Sequence, residues 1–343
     1  MNYSKEEIVT NNKMKEYKEF LEKHELTYEE TDYALGLYDN NKLIGCCSLT
    51  GNCIKLLAID ETYQGQGLTN TLVGHMLKKV YMSGRMNAFI FTKPEKEFEF
   101  NKLGFYTIVK TDDVLFLEKR SEGISSYLKT LEKYRVEKEK TASIVMNLNP
   151  FTLGHKSLIE KASKENNHVH VFIVKEDKSV FPYNIRLELL KKGTEEFDNV
   201  TIHEGSDYIV SSATFPTYFI KSKDEIPKIY ARIDALVFAK YISKALNISK
   251  RYVGSEPLSK TTNMYNNTLK EVLGEEGIEV IQIERSESEG RVISASYVRN
   301  YIREGRLEDA FNLLPETTID FLKSDTGKEI IKKIEVMSEN QRH

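Results

Sequence analysis

The chain has 343 residues, of which 40% are hydrophobic and 29% are charged, with only 7 prolines and 18 glycines. This composition is typical of a globular protein and excludes disordered, collagen-like and fibrous classes, and the length predicts two domains with separate cores. The formal net charge is −3, from 49 basic and 52 acidic residues. We therefore expect neither nucleic acid nor a membrane as a partner, although local patches can still bind phosphate.

The apolar runs and the cysteines predict the cellular compartment. No apolar run approaches the roughly 20 residues needed to span a bilayer, and the first residues lack the apolar core of a signal peptide. Cys46, Cys47 and Cys53 are the only cysteines, and they form no CxxC pair. An odd number of clustered thiols excludes a disulfide framework, so we expect a reduced, cytoplasmic location.

Residues 1–120 mix helical and strand patterns, which predicts an α+β domain. The patterns predict helices over 4–24, 69–82 and 98–103, and strands over 33–38, 43–49, 53–59, 87–92, 105–109 and 114–118. Residues 121–140 are rich in charge, and their apolar side chains recur every three to four positions. We predict a charged helical linker there, although a helix belonging to either neighbour is equally consistent with the pattern.

Residues 141–343 alternate strand and helix patterns, and helical stretches complete the chain from residue 294. The predicted strands are 142–146, 169–174, 200–203, 235–238, 251–253 and 279–283, and the predicted helices between them are 156–164, 186–194, 240–246 and 265–273. This alternation predicts a second domain with a doubly wound, Rossmann-like parallel sheet covered on both faces. The predicted fold class is therefore α/β in this half, after an α+β first domain.

The most informative segment is S-I-V-M-N-L-N-P-F-T-L-G-H-K-S-L-I-E-K-A, residues 143–162. A buried strand ends at Asn147, the chain turns, and a helix begins near His155. In open α/β sheets, ligands bind beyond the carboxyl ends of strands, where a helix N-terminus offers free N–H groups to phosphate. Gly154 permits close approach of the backbone, while Thr152 and His155 add donors. An ordinary strand-to-helix turn with no ligand is the alternative.

A second segment, I-S-A-S-Y-V-R at residues 293–299, supplies two hydroxyls and a guanidinium near a helix start. Together, T-L-G-H and this segment resemble the TxGH/HxGH and ISSTxxR-like signatures of the nucleotidyltransferase superfamily. The resemblance implies transfer of an adenylyl group from ATP, with Mg²⁺ as the charge partner of ATP and no dedicated metal site. It implies that Thr152, His155 and Arg299 are catalytic. We further predict ATP contacts from Asn149, Pro150, Phe151, Gly154, Arg186, Gly254, Glu256, Ser294 and Ser296.

Three of these assignments have plain alternatives. Arg186 could be a surface residue, Glu256 could cap the next turn, and the S-x-S-x-x-R pattern alone is often a helix cap.

In the first domain, I-K-L-L-A-I-D-E-T-Y-Q-G-Q-G-L-T (54–69) and F-N-K-L-G-F-Y (100–106) resemble elements of the GNAT acyltransferases. This resemblance implies that a loop at a helix start, formed by Gln64, Gly65, Gly67 and Leu68, binds the pyrophosphate of a coenzyme-A-like group. Thr69 departs from the family, which prefers glycine or alanine there. A glycine-rich turn without function is the alternative, and no general acid or base for acyl transfer is evident.

Nearly the whole chain resembles the citrate lyase ligase family, through blocks such as M-N-L-N-P-F-T-L-G-H, F-P-Y-N-I-R-L-E-L-L-K-K-G and R-Y-V-G-S-E-P. The family resemblance implies that acetate and ATP form acetyl-adenylate and that pyrophosphate leaves. The acetyl group then passes to the thiol of a phosphoribosyl-dephospho-coenzyme A group on the acyl carrier subunit of citrate lyase, and AMP is released. A cofactor adenylyltransferase of the pantetheine-phosphate type and a non-catalytic sensor of nucleotide or coenzyme A are the alternatives.

Overall fold

The structure is a computed structural model that describes residues 3–137, 139–175, 179–209, 215–255, 259–284, 287–288 and 291–337. The chain divides into two compact units. The first contains Met1–Tyr127 and Pro216–Ile229, and the second contains Leu128–Phe215 and Tyr230–His343. The segment Pro216–Ile229 therefore packs with the first unit although it lies between the two parts of the second unit in sequence. The predicted boundaries at 120 and 141 do not contain this feature.

The first unit is built on a mixed seven-stranded sheet in the order β1-β2-β3-β4-β5-β7-β6. Its strands are β1 (Ser4–Glu7), β2 (Tyr33–Asp39), β3 (Lys42–Thr50), β4 (Cys53–Ile59), β5 (Phe89–Thr92), β6 (Tyr106–Lys110) and β7 (Leu115–Glu118). Its helices are α1 (Asn11–Lys23), α2 (Leu68–Met82) and α3 (Glu97–Lys102). Neighbouring strands are antiparallel except β4 and β5, which are parallel. This architecture is the GNAT-like α+β fold that the sequence predicts.

Helix α2 covers one face of this sheet with the apolar residues Leu68, Leu72, Val73, Met76 and Val80, all buried. Their three-to-four-residue spacing places them on one side of the helix, against the core that the strands supply. Gly67 precedes α2 in a left-handed conformation with φ +77°. The core thus fixes the position of the glycine-containing turn at the start of α2.

The N-terminal prediction is wrong in one respect, because the helix predicted from residue 4 begins at Asn11. Thr10 is its N-cap, and the Thr10 side chain accepts a hydrogen bond from the Lys13 backbone N–H. The preceding residues, Ser4–Glu7, form edge strand β1, which pairs antiparallel with β2. These polar residues suit an edge strand, whose side chains remain largely in water, and sequence periodicity does not identify such a strand.

The second unit is built on a parallel five-stranded sheet. Its strands are β8 (Thr141–Met146), β9 (His168–Ile173), β10 (Val200–His203), β11 (Lys250–Gly254) and β12 (Glu279–Ile283), and a two-stranded ribbon joins β13 (Glu287–Ser288) and β14 (Arg291–Val292). Its helices, with α4 and α7 at the junctions between the units, are α4 (Gly123–Glu132), α5 (Leu153–Glu165), α6 (Tyr183–Gly193), α7 (Ile226–Val237), α8 (Ser243–Leu246), α9 (Lys260–Glu275), α10 (Ala295–Arg303), α11 (Leu307–Phe311), α12 (Glu316–Lys323) and α13 (Asp325–Val336).

The strand order β10-β9-β8-β11-β12 confirms the doubly wound prediction. From β8, at the centre, the chain first proceeds to β9 and β10 on one side, and later to β11 and β12 on the other. The order therefore reverses between β8 and β11. In open α/β sheets a ligand crevice forms at the carboxyl ends of the two strands that flank such a reversal. The fold itself thus predicts a site beyond Met146 and Gly254.

The strand predicted over residues 235–238 is absent, and this prediction is wrong. The segment lies in the last turn of α7 and in a π-helical turn, Phe238–Ile242. Ala235, Val237, Phe238 and Ala239 are all at most 1% exposed. A short run that is apolar on every side fits a buried strand and a buried helix equally well, so periodicity could not separate the two.

Two buried histidines, His170 and His203, face each other between neighbouring strands β9 and β10. His170 Nδ1 lies 2.8 Å from His203 Nε2. The His203 ring also stacks on Phe172, with ring centroids 4.6 Å apart. Burial, reinforced by neighbouring imidazoles, lowers the pKa of His170 to about 3 and that of His203 to about 4. Both rings are therefore neutral at pH 7. Among the residues that the structure describes, no group of three or more His, Cys, Asp or Glu side chains could hold a metal ion.

Acidification should destabilise the second unit through these two histidines. Because their pKa values lie below the ordinary value of 6.5, the unfolded chain binds more protons. Their contribution is fully present above about pH 6.5 and is lost as the pH falls towards the folded-state values. Each histidine should lower the free energy of unfolding by up to about 1.4 kcal/mol per pH unit in that window.

Urea unfolding at about pH 7.5, 6.5 and 5.5 measures this slope. His170→Gln should reduce the slope of the unfolding free energy against pH by the equivalent of about one proton taken up on unfolding. His203→Gln serves as the second variant. If both variants keep the slope of the unmodified chain, the histidines are not responsible for it.

Candidate active site

A cleft of about 260 Å³ lies at the carboxyl ends of β8 and β11, where the strand order reverses. Its floor comes from the strand ends Val145, Met146 and Gly254, and its walls from the starts of α5 and α10. The remaining residues that line it are Asn147, Thr152, Gly154, His155, Ser157, Leu158, Ile283, Glu284, Ile293, Ser294, Ala295 and Ser296. Both sequence motifs predicted to bind ATP therefore contribute to one cleft.

The start of α5 orients His155 through its N-cap, Thr152. The Thr152 side chain accepts a hydrogen bond from the His155 backbone N–H at 3.4 Å. In return, the Thr152 backbone N–H donates to His155 Nδ1 at 3.1 Å, and the Thr152 hydroxyl lies 2.9 Å from the same nitrogen. Because Nδ1 accepts a hydrogen bond, this network assigns the proton of the neutral ring to Nε2. His155 thus presents an N–H donor, while Thr152, 1% exposed, holds the ring.

Hydrogen bonds from Phe181 and Thr318 hold the loop between β8 and α5 in place. Its Asn149–Pro150 peptide bond is cis, and Asn149 Oδ1 accepts a hydrogen bond from the Phe181 backbone N–H at 3.1 Å. Phe151 is fully buried, and its carbonyl accepts from the Thr318 hydroxyl at 3.0 Å. Asn149, Pro150 and Phe151 were predicted to contact ATP, but they do not line the cleft. They support the loop that carries Thr152 and His155.

Arg186 was predicted to contact ATP, but it is not among the residues that line the cleft. It is fully buried, and its Nε donates to the Phe181 carbonyl at 3.0 Å. One terminal nitrogen donates to the Asn147 carbonyl at 2.6 Å, to Asn147 Oδ1 at 2.8 Å and to the Val174 carbonyl at 3.0 Å. The guanidinium therefore ties together the ends of β8 and β9 and the chain that enters α6.

Gly154 brings the two motifs into contact. A Cβ atom added at this position would stand 3.1 Å from the carbonyl oxygen of Ile293, which is closer than about nine in ten Cβ contacts in proteins. The first turn of α5 consequently packs on the backbone that immediately precedes α10. The sequence predicts that this glycine permits close approach of a ligand, and the approach observed here is that of the second motif.

The second motif begins α10. Ser294 is the N-cap, and its hydroxyl accepts from the Tyr297 backbone N–H at 3.3 Å. The Ser296 side chain is exposed and lines the cleft. Arg299 donates to the Asn149 carbonyl and lies 3.4 Å from the Ser296 hydroxyl. Burial and the nearby charge of Arg303 lower the pKa of Arg299, yet a guanidinium stays protonated at neutral pH. Arg299 is not among the residues that line the cleft, but its contact with Ser296 places a positive charge beside the lining, and its contact with Asn149 joins both motifs.

The ends of β11 and β12 complete the cleft lining. Gly254 lines the cleft, and a Cβ atom placed there would meet nothing within 4 Å. Glu256, predicted to contact ATP, lies outside the described residues. Glu284 lines the cleft and was not predicted. The available signal was its position directly after β12, since the carboxyl ends of all parallel strands meet at one edge of the sheet.

The first unit contains a separate groove of about 580 Å³. Gln64, Gly65, Gly67 and Leu68, the predicted coenzyme-A-like contacts, all line it. Gly67 offers no side chain to cap the 15-residue helix α2, so the N-terminal N–H groups of this helix are available to an anion. Other residues along the groove include the cations Lys93, Lys96 and Lys102 and the aromatic residues Phe100, Tyr218 and Phe219.

Comparison with known proteins identifies the family. Residues 141–322 match the model of the citrate lyase ligase C-terminal domain. The chain is 38% identical over 309 residues to the [citrate [pro-3S]-lyase] ligase of Klebsiella pneumoniae, covering 88% of this chain and 90% of that protein. The chain belongs to the citrate lyase ligase family. The ligase of Escherichia coli K12 is 37% identical over 321 residues, covering 92% of this chain and 91% of that protein.

A solved structure, Thermotoga maritima TmcAL bound with alpha-thio ATP, is similar at a TM-score of 0.37 and 16% identity. The match covers 56% of this chain and 57% of that one. Membership of the citrate lyase ligase family makes the chain an enzyme of the ligase class. In the described part of the chain, no helix is long and apolar enough to cross a bilayer.

Proposed function

We propose that this citrate lyase ligase family member activates acetate with ATP as acetyl-adenylate and then acetylates a carrier thiol. The acceptor is the thiol of the phosphoribosyl-dephospho-coenzyme A group on the acyl carrier subunit of citrate lyase. The observation that carries the proposal is the cleft at the β8/β11 reversal, where His155, Ser296 and two helix N-termini converge. These groups are all donors, which is what a triphosphate requires.

The chemistry needs positioning and charge stabilisation rather than a general base. A carboxylate oxygen of acetate attacks the α-phosphorus of ATP, and the bond from that phosphorus to the oxygen of pyrophosphate breaks. His155 Nε2–H, held by Thr152, donates to the phosphate oxygens on which charge develops. Arg299 and Ser296, at the start of α10, stabilise the departing pyrophosphate. The carrier thiolate then attacks the acetyl carbonyl carbon, and AMP leaves as the carbon–oxygen bond to phosphate breaks.

Mg²⁺ would accompany ATP, because it commonly binds through substrate phosphates and one or two carboxylates. Glu284 is a carboxylate on the cleft wall, so the donor set fits such a complex. Bound there, the ion would neutralise charge on the phosphate oxygens.

We also propose that the groove of the first unit holds the coenzyme-A-like arm of the carrier, with phosphate at Gly65–Leu68. The reduced thiols Cys46, Cys47 and Cys53 agree with the expected cytoplasmic location.

Incubation of the protein with ATP, radiolabelled acetate and deacetylated citrate lyase tests the proposal. The expected result is label on the acyl carrier subunit, with release of AMP and pyrophosphate. A stable dinucleotide made from ATP and a pantetheine phosphate would instead indicate a cofactor adenylyltransferase. Absence of ATP turnover under both conditions would indicate a sensor.

Gly67→Asp should separate the two sites. Its carboxylate would stand at the uncapped start of α2, where it repels phosphate, so acetylation of the carrier should fall at least about tenfold. Acetate-dependent ATP–pyrophosphate exchange should stay within about twofold of the unmodified chain, since α2 contributes nothing to the cleft of the second unit.

Gly84→Asp is the matched control, because Gly84 has φ +80°, similar to the +77° of Gly67, and stands outside the groove. An equal fall in both activities for Gly67→Asp, with an intact circular dichroism spectrum, would contradict the proposed division of roles.

A further inference from the structure

Strands β4 and β5 pair over only two positions and then diverge. The parallel pairs are Cys53 with Phe89 and Ile54 with Ile90. Leu56, in the diverging part of β4, has a left-handed backbone with φ +52°. This break in regular strand geometry opens a gap between β4 and β5, and the groove of the first unit includes it, because Ile54, Leu57, Ile90 and Thr92 line the groove.

Tyr218 fills this gap. Its hydroxyl donates to the Phe91 carbonyl of β5 at 3.0 Å. The Tyr218 side chain thereby provides a hydrogen-bond donor to the backbone of β5 at the point where β4 has diverged from it. Tyr218 is 6% exposed, lines the groove and lies in the segment Pro216–Ile229, far in sequence from both strands.

Tyr218 is anchored on both sides of its Cα atom. The Thr27 backbone N–H donates to the Tyr218 carbonyl at 2.9 Å. The backbone N–H and the hydroxyl of the preceding residue, Thr217, both donate to Glu29 Oε1 at 2.7 Å. Lys55, 7% exposed at its side chain, lies 3.3 Å from the other oxygen of that carboxylate. The ring is therefore held in the gap by groups of its own unit.

An arm with its phosphate at the start of α2 would extend along the same groove towards this gap. A free thiol at the end of the arm is small and makes only weak hydrogen bonds. An acetyl thioester adds a carbonyl and a methyl group, which need a donor and space. In the gap, the Tyr218 ring occupies the space and its hydroxyl already donates to the Phe91 carbonyl, so the thioester carbonyl would be buried without a partner.

We propose that Tyr218 makes the groove selective for the free thiol over its acetyl thioester. This inference rests on the proposed function of the groove. Since the thiol is the acceptor and the thioester is the product, a groove that binds the product poorly would favour its release. Tyr218 is thus a specificity-determining residue of the ligase, and it keeps the first unit from holding an acetylated arm as an acyltransferase would.

Calorimetric titration of the full chain with coenzyme A and with acetyl-coenzyme A tests this selectivity. The unmodified chain should bind coenzyme A at least about tenfold more tightly than acetyl-coenzyme A. Tyr218→Ala should reduce this ratio to below about threefold, by strengthening the binding of acetyl-coenzyme A. Tyr218→Phe keeps the ring but removes the hydroxyl and so leaves slightly more space beside Phe91. It should therefore give an intermediate ratio, and it serves if the alanine variant does not fold.

Tyr33→Phe is the matched control, because the Tyr33 hydroxyl contacts His75 Nε2 at 3.0 Å in the same unit, outside the groove lining. It should leave both affinities unchanged. Three results would overturn the inference: equal affinities of the unmodified chain for the two compounds, a ratio in both Tyr218 variants that equals the ratio of the unmodified chain, or failure of the chain to bind coenzyme A. The ligase proposal would still stand on acetylation of the carrier, which is measured separately.

Discussion

Replacement of His155 by alanine is expected to lower the rate of acetate-dependent ATP–pyrophosphate exchange by about 10²–10³. The structure supplies the reason, because the ring is oriented before substrate binds. Two hydrogen-bonding groups of Thr152 converge on His155 Nδ1 and leave the proton on Nε2. A donor held in this way need not reorient when charge develops on phosphate oxygens. Its loss should therefore raise the free energy of the transition state more than that of bound ATP.

The affinity for ATP should change much less than the rate. In the proposed site, the N-terminal N–H groups of α5 and α10 and the charge of Arg299 would also act on the bound phosphates, and His155→Ala leaves them in place. Thr152 can still cap α5, because the cap bond is made to the backbone N–H of residue 155. Exchange kinetics together with calorimetric titration of ATP separate the two effects.

A matched control is His75→Ala, which removes a histidine from the first unit and should leave exchange unaltered. If His155→Ala kept its exchange rate within about threefold of the unmodified chain, the cleft at β8 and β11 would not be the adenylation site.

The sequence was sufficient to locate this cleft because each of its signals is local. A strand followed by T-L-G-H, and S-A-S before a helix, depend on caps and turns that lie within a few residues of each other. The alternation of strands and helices then places both segments at one edge of a parallel sheet. Contact between the motifs, through Gly154 and Ile293, follows from that topology.

The positions of Arg186 and Tyr218 could not be predicted in the same way, because both depend on chain segments distant in sequence. The guanidinium of Arg186 satisfies carbonyls at Asn147 and Val174, so an arginine predicted to contact ATP, with a surface position as the alternative, is fully buried. Tyr218 packs between strands that lie more than a hundred residues earlier. The periodicity of a sequence does not show which distant backbone groups lack a hydrogen-bond partner in the sheet. Because those groups determine where such polar side chains are buried, the two positions could not be predicted.

Glu284 illustrates an intermediate case. Its place after β12 is predictable from the sheet, but its position on the cleft wall depends on how far the strand extends.

Arg186→Met is expected to destabilise the second unit by about 3 kcal/mol or more, because a buried acceptor left without its donor costs about 1–3 kcal/mol and three carbonyls are affected. Methionine fills much of the same volume but donates no hydrogen bond. The carbonyls of Asn147, Val174 and Phe181 would each lose the contact that the guanidinium now makes with them. Because Asn147 is the first residue after β8 and lines the cleft, ATP affinity should fall together with stability.

Urea unfolding followed by circular dichroism, with and without ATP, measures both effects. Lys192→Met on the same helix is the matched control, since Lys192 is exposed and pairs only with Glu188 at 2.7 Å among its described contacts. A surface pair of this kind contributes at most about 0.5 kcal/mol. Arg186→Lys should recover only part of the loss, because an ammonium group cannot reach carbonyls on three sides as a planar guanidinium does. If Arg186→Met unfolded at the same urea concentration as Lys192→Met, the buried guanidinium would not be what fixes the loop beneath Thr152 and His155.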